Sequence, residues 1–127
     1  MNAILSTGRY IMVLPALIFG VMHFMNAKGM AGMVPIPGGE IWVYITGLAM
    51  IAAAVSIIIG KFDKLAAALL GLLMLIYALS IHLPGVMGAV EEAQKAMYMG
   101  NLLKDLGLAG GAWIYASAMS KDKSVIG

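Results

Sequence analysis

Six residues in this chain could do chemistry at one place: His23, Glu40, His82, Asn101, Lys104 and Asp105. A histidine beside a carboxylate can donate a hydrogen bond and hand over a proton. An ammonium group can stabilise negative charge developing on a carbonyl oxygen. Asn101 lies three residues before Lys104 and four before Asp105, within helical reach of either. Together these types suit a ring that bears a carbonyl oxygen: His23 or His82 donates, Asp105 orients it, and Lys104 stabilises charge. Two other chemistries use the same residues more weakly. His23 and His82 could ligate a haem axially, and the histidines with Asp105 and Glu40 are plausible metal ligands. No local spacing forms a metal motif, so we expect no metal site, no haem and no covalently bound group.

The elements that must position these residues are set by the solvent. Apolar residues make up 62% of the 127 and charged residues only 11%, against about 25% charged in a typical soluble domain. Such a chain cannot cover a water-facing surface, so the expected partner is the lipid bilayer. A net charge of +2 without a basic patch excludes nucleic acid. The absence of cysteine excludes disulfides, thiolate metal sites and a thiol relay run by this chain alone.

A helix needs roughly 20 mostly apolar residues to cross the hydrocarbon. Four stretches qualify by eye, at about 4–25, 41–60, 65–83 and 101–119, forming a single all-α domain over 1–127. The expected fold is an integral membrane four-helix bundle. A cleavable signal peptide is disfavoured, because no basic residue precedes Arg9 and cleavage near Ala27 would put Met25 where a small residue belongs. Arg9, Lys61, Lys64, Lys121 and Lys123 share one side, so both termini are expected in the cytoplasm and the chain in the inner membrane. Arg9 reads as an anchor at that boundary. Glu91 and Lys95 are spaced to pair on a short interfacial helix before the fourth span.

Small residues predict close helix contacts at Ala52, Ala53 and Ala54, at Ala66, Ala67, Ala68 and Gly71, and at Gly107, Gly110 and Gly111. Pro15 predicts a kink in the first span. The methionines read as adaptable core filler. Trp42, Tyr10 and Tyr98 read as interface aromatics, and Trp113 lies deeper, where it could pack inside. His23 and His82 fall near the outer ends of the first and third spans, at the depth of Lys104 and Asp105, and Glu40 heads the second. Ionisable groups inside a membrane point to function by default. Lys104 can snorkel toward outside water, whereas Asp105 is too short and should face inward, toward His23 or His82.

The segments "GRYIMVLPALIFGVMHF", "VPIPGGE", "KFDK", "LSIHLPG" and "NLLKDLGLAGGAWIYA" together resemble the DoxX family of four-helix membrane proteins. The fourth-span pattern of Asn101, Lys104, Asp105 and Gly110-Gly111 carries most of that likeness. The resemblance implies a membrane subunit of an oxidoreductase that binds quinone as its cofactor near the outer leaflet, as in the branch serving thiosulfate:quinone oxidoreductase, with a soluble or membrane redox protein, or a second copy, as partner. Sulfur chemistry would fall to the partner, since this chain has no thiol. The alternative is a non-catalytic structural or assembly subunit, or a carrier of a small amphipathic molecule. Transport is less favoured, because no inverted repeat is visible.

Overall fold

The computed structural model describes residues 2–127, and these are all-helical, with no strand among them. A short α1 (Asn2–Leu5) leads into α2 (Gly8–Met25), followed by a one-turn α3 (Ala27–Ala31) and α4 (Gly39–Ile59). Then come α5 (Asp63–Tyr77), a π-helical turn (Ala78–His82), α6 (Leu83–Gly88), α7 (Glu92–Ile114) and a second π turn (Tyr115–Met119). The break between α1 and α2 has a local cause. Ser6 Oγ and Thr7 Oγ1 donate to the carbonyls of Ala3 and Ile4, at 2.9 and 2.6 Å, and so compete with the helical ladder. Pro15 lies inside a continuous α2.

Three stretches are long and apolar enough to cross a membrane: Asn2–Met25, Gly39–Ile59 and Asp63–Gly88. The third outruns the expected 65–83. Pro84 does not end it, because Leu83 N–H bonds back to Ala78 O, five residues away, and the π turn takes up the crowding that proline imposes. The expected fourth span is not among the three. Its helix begins much earlier, at Glu92, and carries Glu92, Lys95, Lys104 and Asp105. The separate interfacial helix is therefore corrected: residues 92–100 are the first turns of α7. Glu91 stays outside it as the extended N-cap, forming no ion pair with Lys95.

The rods pack in chain order, α2 on α4, α4 on α5 and α5 on α7, while α2 and α7 meet only slightly. The shared core is built from small side chains, with Ala16, Ala54, Ala67, Ala109 and Ala112 buried around Val13, Met50, Ile57 and Met74. Backbones can approach closely there, which is how packing replaces the hydrophobic effect in lipid. One close approach joins α2 and α4, where a Cβ on Gly20 would stand 2.9 Å from Gly47 O. Gly107 and Gly110 have nothing nearby and face outward, so the glycine face expected on the fourth helix is replaced by Ala109 and Ala112. Large apolar side chains such as Leu14, Ile45, Leu69 and Leu103 stay exposed on all four rods.

One end of the molecule is tied by Asp63, the first residue of α5, whose side chain is fully buried. It accepts hydrogen bonds from Tyr115 Oη (2.6 Å), Lys121 N–H (2.8 Å) and Asp122 N–H (2.7 Å). Asp122 in turn accepts from Phe62 N–H at 2.7 Å. That bond holds Phe62 at φ 54°, a left-handed conformation rare without glycine.

Candidate functional site

Beyond the other end of α5, 19 residues from Asp63 and about 28 Å along the helical run, the π turn that follows α5 places His82 against α7. The widened turn carries one residue more than an α turn and so re-aims the side chains beyond it. His82 Nε2–H donates to Asp105 Oδ2 at 2.9 Å, with the two residues only 8% and 2% exposed. A carboxylate accepts only, which places the proton of this bond on Nε2. His82 Nδ1 is left buried with no hydrogen-bond partner. Lys104 Nζ lies 3.6 Å from Asp105 Oδ1 and 3.8 Å from the centre of the Phe19 ring. It is thus held over the site by α2 as well as by its own neighbour.

His23 comes from α2. Its Nδ1–H donates to the Phe19 carbonyl, and Tyr77 Oη lies 3.3 Å from its Nε2. The two rings stack with centroids 6.2 Å apart. Gly47 makes this placement possible, since a Cβ there would come within 2.6 Å of His23 Cβ. His23, Tyr77, His82, Asn101, Lys104 and Asp105 all line one cavity of about 610 Å³. The remaining lining is largely apolar, with Phe19, Trp42, Met50 and Met74 from the rods and Met30, Met33 and Val34 from α3 and the segment after it. A volume of several hundred Å³ with apolar walls and a few converging polar groups is the usual character of a small-molecule site.

Five of the six residues singled out by type therefore meet at this cavity. Glu40 does not: it heads α4 outside the lining, 3.4 Å from Tyr44 Oη. Asn101 lines the cavity but forms neither hydrogen bond open to it by helical spacing among the described residues. No group of three or more metal-ligating side chains gathers among the described residues. Trp113 lies at the surface, 46% exposed, and its Nε1–H donates to Ala68 O at 3.0 Å across the α5–α7 seam. It does not pack inside, because Gly71 leaves its groove on the outer side of that seam. Tyr77 was not anticipated. A tyrosine five residues before a histidine meets it on no regular face, and here its partner is the other histidine, on α2. Asp63 was also missed, since "KFDK" reads as a charged turn and its partners lie more than 50 residues away.

A model of a family described as a domain of unknown function (DUF8561) matches residues 12–116. No curated protein and no solved structure matches the chain. The family match corrects the resemblance to DoxX. Apolar spans, a Pro-Gly loop and polar residues near one membrane face are demanded of many small helical membrane proteins by the bilayer itself. The only distinctive part of the likeness was a handful of residues on one helix.

Proposed function

The chain belongs to the DUF8561 family of domains of unknown function, and from its own geometry we propose a four-span membrane protein that binds a small amphipathic ring molecule. The quinone class is the first candidate. What carries this reading is the cavity in which His23, His82, Lys104 and Asp105 converge from different helices within mostly apolar walls. A ring carbonyl can accept from Lys104, and Asp105 keeps the His82 imidazole oriented beside it. Methionine and aromatic side chains then hold the ring and its tail.

The fourth span is α7. Its charges at membrane depth are consumed internally, Asp105 by His82 and Lys104 by Asp105 and Phe19. The face left outside is apolar, with Leu103, Leu106, Trp113 and Ile114. With four spans, the excess of Lys and Arg puts both termini in the cytoplasm and the cavity toward the outer leaflet. Single cysteines at Gly32 and Lys123, on this cysteine-free background, test that orientation. Labelling of the first from outside and the second from inside is expected; the reverse pattern defeats it.

Trp42 lines the cavity and serves as a reporter once Trp113→Phe removes the chain's other tryptophan. Titration with a short-chain benzoquinone is expected to quench Trp42 saturably. Losing a charge-assisted hydrogen bond in His82→Ala or Asp105→Asn should weaken binding about tenfold or more. Quenching that stays linear, or that both variants leave untouched, rejects the site and favours a purely structural or assembly role.

A further inference from the structure

The slight contact between α2 and α7 leaves a second cleft, at the Asp63 end, of about 470 Å³. Its lining is mostly apolar, with Leu5, Met12, Ile114 and Met119, and its polar side chains are Asn2, Ser6 and Arg9, nearer the N-terminus. Met12, one helical turn beyond Arg9, and Gly111, one turn inward of Tyr115, lie farther along the helices. An apolar slot with a cation near one end has the profile of a lipid site.

The charge balance points the same way. Two carboxylates stand at this end, and both are occupied. Asp63 accepts from Tyr115, Lys121 and Asp122, and Asp122 accepts from Phe62 and Ser124. Among the described residues Arg9 forms no ion pair. Its guanidinium lies 5.8 Å from the Tyr115 ring centre, a contact that orients the group without neutralising it. Lys61, Lys64, Lys121 and Lys123 lie in sequence at the same end and add to the positive field.

We propose that this cleft binds an anionic phospholipid, with the phosphate on Arg9 and an acyl chain running along Met12 and Gly111. A guanidinium matches phosphate geometry better than an ammonium does, because two parallel N–H groups can engage two oxygens. The proposal rests on the membrane-spanning reading and is independent of what the outer cavity binds. Bound lipid would also close the seam that α2 and α7 leave open.

The test is lipid retention by the detergent-purified full chain, measured by native mass spectrometry with dioleoyl phosphatidylglycerol or dioleoyl phosphatidylcholine. Phosphatidylglycerol is expected to be retained about fivefold more, the value of one basic residue near an anionic surface. Arg9→Gln should abolish that preference, Arg9→Lys should keep most of it, and Gly111→Leu, which fills the deep part, should reduce retention of both lipids. Arg9→Gln should leave benzoquinone quenching of Trp42 unchanged, which separates this site from the outer one. Equal retention of the two lipids, or a preference that survives Arg9→Gln, overturns the proposal. Displacement of phosphatidylglycerol by millimolar inorganic phosphate overturns it as well, since the site would then serve a free anion.

Discussion

The two ends of α5 each bury an aspartate, and they treat it oppositely. Asp63 takes three hydrogen bonds, two of them from backbone N–H groups, and lines neither of the two cavities described above. Asp105 takes one from His82, leans on a Lys104 that is one-third exposed, and lines a cavity of about 610 Å³. A carboxylate saturated by the fold has nothing left to offer a ligand; it serves as a lock on the C-terminal segment. A carboxylate held by one imidazole, with an orphaned nitrogen on that ring, keeps binding capacity at some expense of stability. Exposure alone would not tell them apart, for both are almost fully buried. The count of satisfied partners does.

That contrast is broken most sharply by Asp63→Ala. It strands the Tyr115 hydroxyl and two backbone N–H groups, so a loss of about 3 kcal/mol or more is expected, read as a lowered unfolding midpoint in detergent. A midpoint close to wild type would mean that the lock is not one. Asp105→Asn is nearly isosteric and keeps an acceptor for His82. We expect a loss of about 1 kcal/mol or less together with weakened benzoquinone binding, reversing the order of the two ends. Asp105→Asn that unfolds the chain as readily as Asp63→Ala would erase the distinction. Tyr115→Phe removes a single bond to Asp63 and should cost roughly 1 kcal/mol without touching quenching of Trp42.

The smallest effect concerns Asp122. The Ser124 hydroxyl first, then the Phe62 and Ser124 amides, hold its carboxyl below the usual 3.8. A folded value below the unfolded one means that the contribution is complete above pH 3.8 and fades as pH falls through the lower folded value. The protection factor of the Phe62 amide, its exchange rate corrected for the intrinsic pH dependence of amide exchange, should therefore hold steady from neutral pH downward and drop only below that point. A drop already near pH 5 would show that Asp122 does not hold this turn.

Height along the helices was legible before any packing was known. Counting residues from the ends of apolar runs put His23, His82, Lys104 and Asp105 in one layer, because a helix rises a constant 1.5 Å per residue. The same counting failed for Glu40, which shares that end but turns toward Tyr44. It also gave α7 too late a start. Residues 92–100 read as a separate interfacial helix, whereas helical hydrogen bonding runs unbroken from them into the apolar stretch that follows.

The sequence by itself determined the helical class, the stretches apolar and long enough to cross a membrane, and the layer in which His23, His82, Lys104 and Asp105 gather. These follow from composition and from distance along the chain, both local properties. The tertiary structure decided which histidine Asp105 takes, that Tyr77 belongs to His23, that Asp63 is a lock, and that α2 and α7 part to leave a cleft. Each of those depends on rotation about a helix axis, where neighbouring residues differ by about 100°. One π turn before Pro84 is enough to reassign which side chain faces inward, and nothing short of the packed neighbours fixes that angle.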